Sequence, residues 1–226
     1  MCVIAITTGF AGNKLGKSSV EKDIKHTFTE AGTSPHQALS ANIYQLAAYG
    51  YHKLEAAKKI RNPVLTIVDF SKPSTEKRLF IIDMRSGKLL VNTLVAHGKN
   101  SGEKVATQFS NTESSYQSSL GFYITGSTYN GGNGYSMRLK GMEAGVNDKA
   151  EERAIVMHGA DYVSESAINN LGRLGRSLGC PAVSQHEHKM IIDLIKQGSC
   201  LFIYAPQQQY ITSSSLLKDL IPSNTL

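Results

Sequence analysis

Beyond Pro63 the chain becomes a succession of short β-branched and aromatic runs, each closed by turn-forming residues, and this punctuation limits the possible folds more than any other feature. The runs cover Val64 to Phe70, Lys77 to Met84, Lys88 to Val95, Gly121 to Thr125, Ser136 to Lys140, Arg153 to Met157 and Cys200 to Ala205. Such runs read as strands, and Arg85-Ser86-Gly87 reads as a hairpin turn between two of them. The expected fold is therefore mainly β with flanking helices, an α+β arrangement. Between the runs lie stretches rich in Gly, Ser and Asn at 97 to 118, 126 to 135 and 159 to 179. Loops this long in a compact domain usually carry function, so the site is expected there.

Two helices are expected. Ser34-Pro35 reads as an N-cap followed by proline at the first helical position, and Leu39, Ile43, Leu46, Leu54 and Ala57 then recur at helical spacing until Asn62-Pro63. Gly50 lies inside this helix, at a cost of about 1 kcal/mol relative to alanine. Ser184-Gln185-His186-Glu187 reads as a capping box opening a second helix through Met190, Ile191, Leu194 and Ile195, closed by Gly198. The organisation expected is a tail over 1–33, an amphipathic helix packing on the domain over 34–61, a catalytic-type domain over 62–206 and a tail low in order signals over 207–226. The apolar opening Met1 to Gly12 lacks a basic flank, so it reads either as a clipped or degenerate export signal or as an ordinary terminus.

Charge and cysteine content narrow the classes of function. Lys and Arg number 24 against 18 Asp and Glu, a formal charge of +6, yet the cations are scattered and there is no Trp. That argues against nucleic acid and leaves an anionic cell-wall polymer or a merely solvated basic surface. No apolar stretch is long enough to span a bilayer, so no stable membrane insertion is expected. Cys2, Cys180 and Cys200 form an odd set without CxxC spacing, which indicates neither a disulfide framework nor a zinc site. His186 and His188 point different ways on a helix and have no third ligand, so no metal is expected.

The sharpest chemical feature is Ser177-Leu178-Gly179-Cys180-Pro181 together with the strand that closes in His158-Gly159. Cys200 sits in an apolar run and reads as core, whereas Cys180 follows a glycine turn and precedes a proline that favours extended backbone. A thiol is a minor thiolate at neutral pH, and an imidazole partner raises that fraction, so Cys180 as nucleophile and His158 as base form a natural pair. The Gly159 carbonyl is placed to orient the second ring nitrogen, and the Gly179 and Cys180 amides to form an oxyanion hole. Arg173 and Arg176 lie close in sequence and would favour the thiolate. His97-Gly98 repeats the His-Gly pattern at another strand end, so His97 stands as a substrate contact or a rival base. Asn130, Tyr135 and Arg138 surround a Gly-rich loop and read as cleft-lining or simply solvated.

His158-Gly159 followed by Ser177-Leu178-Gly179-Cys180 resembles the fingerprint of the murein L,D-transpeptidase family of YkuD type, a His-Gly, a variable loop, then Ser/Thr-x-Gly-Cys. Leu94 to Gly98 resembles that family's strand ending in Val-x-x-Gly, and Ser119 to Ile124 its Pro-x-Gly-x-Phe-x-Ile strand. The resemblance spans residues 63 to 205. It implies a β-sandwich or barrel-like catalytic domain in the bacterial cell envelope, periplasmic or secreted, acting on peptidoglycan stem peptides. It also implies a Cys180 thioester formed with loss of terminal D-alanine and passed to an acceptor amine, without any cofactor. Water as acceptor would make the same site an L,D-carboxypeptidase, and a wall-binding module without turnover is the reading from another class. A papain-like protease fits less well, because no Asn partner can be assigned. The family usually carries an arginine two residues after the nucleophile; here that position is Ala182, and Arg176 or Arg173 is the expected substitute. Ser177, Arg176, Arg173, His97, Asn130 and Tyr135 are accordingly the expected substrate contacts.

Overall fold

A computed structural model describes residues 36–220. The chain begins with helix α1 (Ala41–Ala56) and continues through strands β1 (Val64–Asp69), β2 (Leu79–Asp83), β3 (Leu89–Thr93), β4 (Gly121–Gly131) and β5 (Gly134–Gly141). It ends with β6 (Val156–Ala160), α2 (Glu165–Leu171), β7 (Ala182–Ser184), α3 (His188–Ile195), β8 (Cys200–Tyr204) and α4 (Gln208–Ser213). All eight strands form one sheet in the order β3-β2-β1-β8-β4-β5-β6-β7. The segment after β3 bridges back to β7 through Ala96↔Ala182 and to the turn before Cys180 through Gly98↔Ser177, so the sheet nearly closes on itself.

The pairing follows from composition. β1 and β8 run parallel in the middle of the sheet, and their near-continuous apolar sequences VLTIVD and CLFIY are what burial on both faces demands. Cys200 is wholly buried there. The remaining pairings are antiparallel except β6 with β7. The β2–β3 turn forms at Arg85-Ser86-Gly87, where Gly87 takes φ 68° and the Asp83 carboxylate accepts the Arg85 amide.

α1 presents Ile43, Ala47, Gly50, Tyr51 and Leu54 to the sheet. Gly50 has a packing reason: a Cβ there would fall inside the Phe122 ring, which itself stacks on Phe202 at 4.2 Å. The helix starts later than Ser34-Pro35 predicts. Residues 36–39 form a turn in which the Leu39 amide bonds the His36 carbonyl, and Ser40 takes the N-cap position. It also ends before Asn62-Pro63, because Lys58 adopts φ 57° and the Lys59 amide turns back to the Leu54 carbonyl.

Elsewhere the structure corrects the sequence reading. The expected loop over 126 to 135 is the extension of a β4–β5 hairpin, with a register shift between Thr125 and Thr128. The expected strand over Arg153 to Met157 begins only at Val156, since Ala154 takes φ 51°. Within 159 to 179, α2 is capped by Ser164, whose hydroxyl accepts the Ala167 amide, and is closed by Gly172 in the left-handed region. Ser184 does not cap α3; it ends β7, and the Glu187 carboxylate accepts the Thr93 hydroxyl at 2.6 Å instead. Beyond β8 the described residues, as far as Leu220, are anchored rather than loose. The buried Glu143 carboxylate accepts the Phe122 amide and the Tyr210 and Ser214 hydroxyls, tying α4 to the sheet.

Candidate active site

β6 lies between β5 and β7, and its parallel register with β7 sets His158 opposite Ala182. Every residue of β6 is buried, so His158 is held by strand and neighbours alike and is only 5% exposed. Its Nδ1 lies 2.9 Å from the Gly159 carbonyl. A carbonyl only accepts, so Nδ1 carries the hydrogen and Nε2 is left as the acceptor of a neutral ring. Gly159 cannot bear a Cβ, because the Gln185 amide and the His188 ring occupy that space.

The turn at 177–180 is held by its own hydrogen bonds. The Ser177 hydroxyl donates to the Cys180 carbonyl at 2.6 Å and accepts the Gly179 amide at 3.1 Å. Gly179 takes φ 126°, a conformation L side chains rarely adopt. The Gly179 carbonyl accepts the Ser118 hydroxyl, which in turn accepts the Gly98 amide. Gly98 has room for no side chain, since a Cβ would meet the Tyr116 carbonyl and the Gly179 Cα. The turn thus delivers a half-buried Cys180 to the start of β6. There the Val156 amide donates to Sγ at 3.4 Å, and the thiol faces the Ala154 carbonyl at 3.7 Å. Val156 is two residues before His158 on one strand, so the sulfur and the imidazole are attached to neighbouring points of the same β6–β7 edge.

Burial dominates the electrostatics of both groups. It raises the Cys180 thiol above its ordinary range, opposed by the Val156 amide and by the Arg153 charge. It lowers the His158 imidazole, opposed by the Gly159 carbonyl and reinforced by His188. Burial thus disfavours the charged form of each group. Tyr162 is raised to about 12, first by burial and then by the Cys180 charge.

Other expected site residues are placed differently. His97 is 1% exposed, its Nδ1 2.8 Å from Arg78 Nη2 and its Nε2 3.2 Å from the Gly102 carbonyl. Both nitrogens are committed inside the core, so it is neither base nor substrate contact. Arg173 and Arg176 both pair with Glu103 at 2.9 and 2.7 Å, which spends their charge away from the thiol. Ser177 and the Gly179 amide bond each other, so of the two expected oxyanion donors the Cys180 amide is the one without a partner among the described residues. Ser177 is a turn-shaping residue rather than a substrate contact. Asn130 is exposed at the β4–β5 hairpin tip, paired in register with Tyr135, whose phenol donates to Asp193 at 2.7 Å.

The cation that does reach the thiol is Arg153. Its guanidinium donates to the Ser110 and Gln117 carbonyls, both at 2.7 Å, and to the Ser115 and Ser119 hydroxyls. All four partners are neutral, so its charge is not cancelled, and Nη2 stands 3.5 Å from where a Gly179 Cβ would be. Sequence reasoning missed it because Arg153 sits in a segment that reads as strand. His188, weighed in sequence only as a metal ligand, and Gln185, not singled out, both pack on Gly159; their nearness to β7, itself unread, is the signal that places them there.

The residue pattern and this geometry describe a cysteine and histidine site on a nearly closed β-sheet. The model of the L,D-transpeptidase catalytic domain matches residues 35–204, and the chain belongs to that family. No curated protein matches it. Among solved structures it is similar to an L,D-transpeptidase from Mycobacterium smegmatis, with 13% identity and TM-score 0.39 over 63% of this chain and 59% of that one. It is also similar to L,D-transpeptidase 3 from Mycobacterium tuberculosis, with 12% identity and TM-score 0.41 over 63% and 61%. A third similar structure is the L,D-transpeptidase from Stackebrandtia nassauensis, with 16% identity and TM-score 0.37 over 89% and 85%. The match to the first of these covers less than two thirds of that chain.

Proposed function

We propose that this protein is a cysteine acyltransferase of the cell envelope acting on peptidoglycan stem peptides. The observation that carries the reading is the β6–β7 edge, where a half-buried Cys180 meets the strand bearing a neutral His158 whose Nε2 is free to accept a proton. Family membership supports the substrate class.

With burial disfavouring the charged form of each group, the proton leaves Sγ for His158 Nε2 as Sγ attacks the carbonyl carbon at the L-centre of the stem's diamino acid. The Cys180 amide would donate to the developing oxyanion, and Arg153 would favour negative charge on sulfur before attack. Collapse breaks the bond to the terminal D-alanine nitrogen, which takes the proton from His158, and leaves a thioester. An acceptor amine, deprotonated by His158, then attacks the thioester and releases the Cys180 thiol. The Gly159 carbonyl keeps the imidazolium oriented throughout.

The test is mass spectrometry of the protein after incubation with a tetrapeptide stem or a carbapenem. The expected result is a covalent adduct on Cys180 with either probe, absent from Cys180→Ala, with D-alanine released from the stem and the β-lactam ring of the carbapenem opened. An unmodified Cys180, with the wall still bound, would favour a non-catalytic binding module. Supplying an acceptor amine separates the remaining pair: a cross-linked product marks a transpeptidase, and hydrolysis alone an L,D-carboxypeptidase.

A further inference from the structure

A second concave region lies away from Cys180. It is a cleft of about 820 Å³ whose floor is the irregular stretch Thr125-Gly126-Ser127 of β4 and the Gln197-Gly198 turn. One wall is the α1–β1 connection with Lys58, Lys59 and Arg61; the other carries Lys140 of β5, with Glu151 as the only acidic residue lining the space.

These four carry uncancelled charge, as several cations elsewhere on the surface also do, but here they line one concavity. Lys53, Lys72, Arg173, Arg176, Lys189 and Lys196 each have a carboxylate within 4.0 Å. Lys58, Lys59, Arg61 and Lys140 are exposed and form no ion pair among the described residues. The excess positive charge of the chain is thus partly gathered in one concavity, where low-dielectric walls focus its field.

The floor is fixed in advance. The Gly198 amide bonds the Thr125 carbonyl, the Gln197 amide the Gly126 carbonyl, and the Arg61 amide the Gly198 carbonyl. Lys58 and Gln197, one on the wall and one in the floor, hold φ of 57° and 64°, values usually left to glycine or asparagine. A strand irregularity and two left-handed side-chain residues therefore converge on one cleft, the kind of local cost that persists at ligand sites.

Geometry sets the size of the ligand. β1 and β5 are separated by β8 and β4, so the two cationic walls stand roughly 14 Å apart at about 4.8 Å per strand. That is a backbone spacing, and a chain carrying charge along its length, with anionic oxygens facing either wall, fills the cleft and engages both walls at once. A phosphate backbone does this, whereas a polycarboxylate hangs its charge on side chains. No aromatic residue lines the cleft, so there is no platform for stacking bases.

We propose that this cleft binds a linear phosphate-bearing polymer through the charge of its backbone. The site is independent of the chemistry at Cys180. It would hold the enzyme on a phosphate polymer while the β6–β7 edge works elsewhere.

The test is fluorescence anisotropy of the full chain with inorganic polyphosphate of increasing length, against poly-L-glutamate of equal charge and orthophosphate. Expected are binding that appears only with chains long enough to span the cleft, preference for polyphosphate, and loss of binding with salt. Neutralising Lys58, Lys59, Arg61 and Lys140 together to Gln should lower the slope of log affinity against log salt by roughly three to four. The control Lys77→Gln with Lys88→Gln should change it far less. Lys140→Glu alone, at an exposed position, covers the case in which the fourfold variant fails to fold and should still weaken binding. Equal effects of cleft and control variants, or length-independent binding, would overturn the site. Equal or tighter binding of poly-L-glutamate would overturn its assignment to phosphate.

Discussion

The chain writes His-Gly twice, once within β6 and once in the bridging segment after β3, and uses the two copies in opposite ways. At His158-Gly159 the glycine carbonyl holds one ring nitrogen, the other is free, and the ring lies on the edge that receives Cys180. At His97-Gly98 the ring is sealed against Phe70 with both nitrogens bonded, and the glycine leaves room for the Gly179-Cys180 turn to pack on it. One histidine lies on the strand that receives Cys180, with Nδ1 on the Gly159 carbonyl, while the other supports the turn that carries Cys180. A dipeptide motif therefore says little until the partners of each nitrogen are known.

The strongest way to break this contrast is to exchange the losses. His158→Gln should cut the rate of Cys180 acylation by about 10²–10⁴ with little change in stability, because it removes a proton acceptor. His97→Leu should do the reverse. It leaves the buried Arg78 short of an acceptor, at a cost of about 1–3 kcal/mol, while acylation per folded molecule stays within a few-fold. Acylation kinetics with mass-spectrometric readout, beside denaturant unfolding, separate the two. Equal losses of rate in both variants would sink the distinction.

A second pair sharpens the same contrast through pH. Burial and the Arg78 charge hold His97 down to about 4, below the ordinary imidazole value of 6.5. The unfolded chain therefore binds the extra proton between these values, so this group's contribution to stability is full above about 6.5 and falls as pH drops towards 4, by about 3 kcal/mol at most. His97→Leu should flatten that slope. Glu143 works in the opposite sense, since burial raises its carboxyl and protonation relieves a buried charge; its effect remains in the variant and serves as reference. A melting-temperature series from pH 7 to pH 4 reads both.

Much of this was legible before any coordinates, and the parts that were not share a cause. The long apolar runs of β1 and β8 and the Gly87 turn follow from local chemistry, and so does the motif joining His158 to Cys180. β7 is only Ala182–Ser184, too short to carry a pattern, and exists because β6 offers it an edge. The hairpin through Thr128, Tyr129 and Asn130 is polar and Gly-rich, and pairing across strands, not propensity, makes it β. Arg153 was hidden for the same reason. Its role depends on carbonyls and hydroxyls of residues 110–119, which no spacing in the sequence connects to it.

Arg153 gives the next prediction. Because its charge opposes the burial that raises the Cys180 thiol, Arg153→Met should move that thiol further up, and alkylation by iodoacetamide at neutral pH should slow by about tenfold for each unit of displacement. The alkylation profile should shift to higher pH in the variant and shift less in Arg153→Lys, which keeps the charge but loses the forked contacts. An unchanged profile would remove Arg153 from the mechanism.

The smallest effect is expected at the arginines that sequence alone favours. Arg176 donates to the Lys99 and Gly102 carbonyls and to Glu103, whose side chain is 70% exposed. Exposed ion pairs are worth about 0–1 kcal/mol, and the guanidinium has no contact with the Cys180 turn beyond the chain that joins them. Arg176→Gln should therefore lower stability by no more than about 1 kcal/mol and leave the alkylation profile of Cys180 where it is. The comparison is internal, since both arginines lie within reach of the nucleophile in sequence or space and differ in whether a carboxylate cancels them. If Arg176→Gln moved the thiol as far as Arg153→Met, the charge would be acting at a distance. The neutral cradle of Arg153 would then explain nothing.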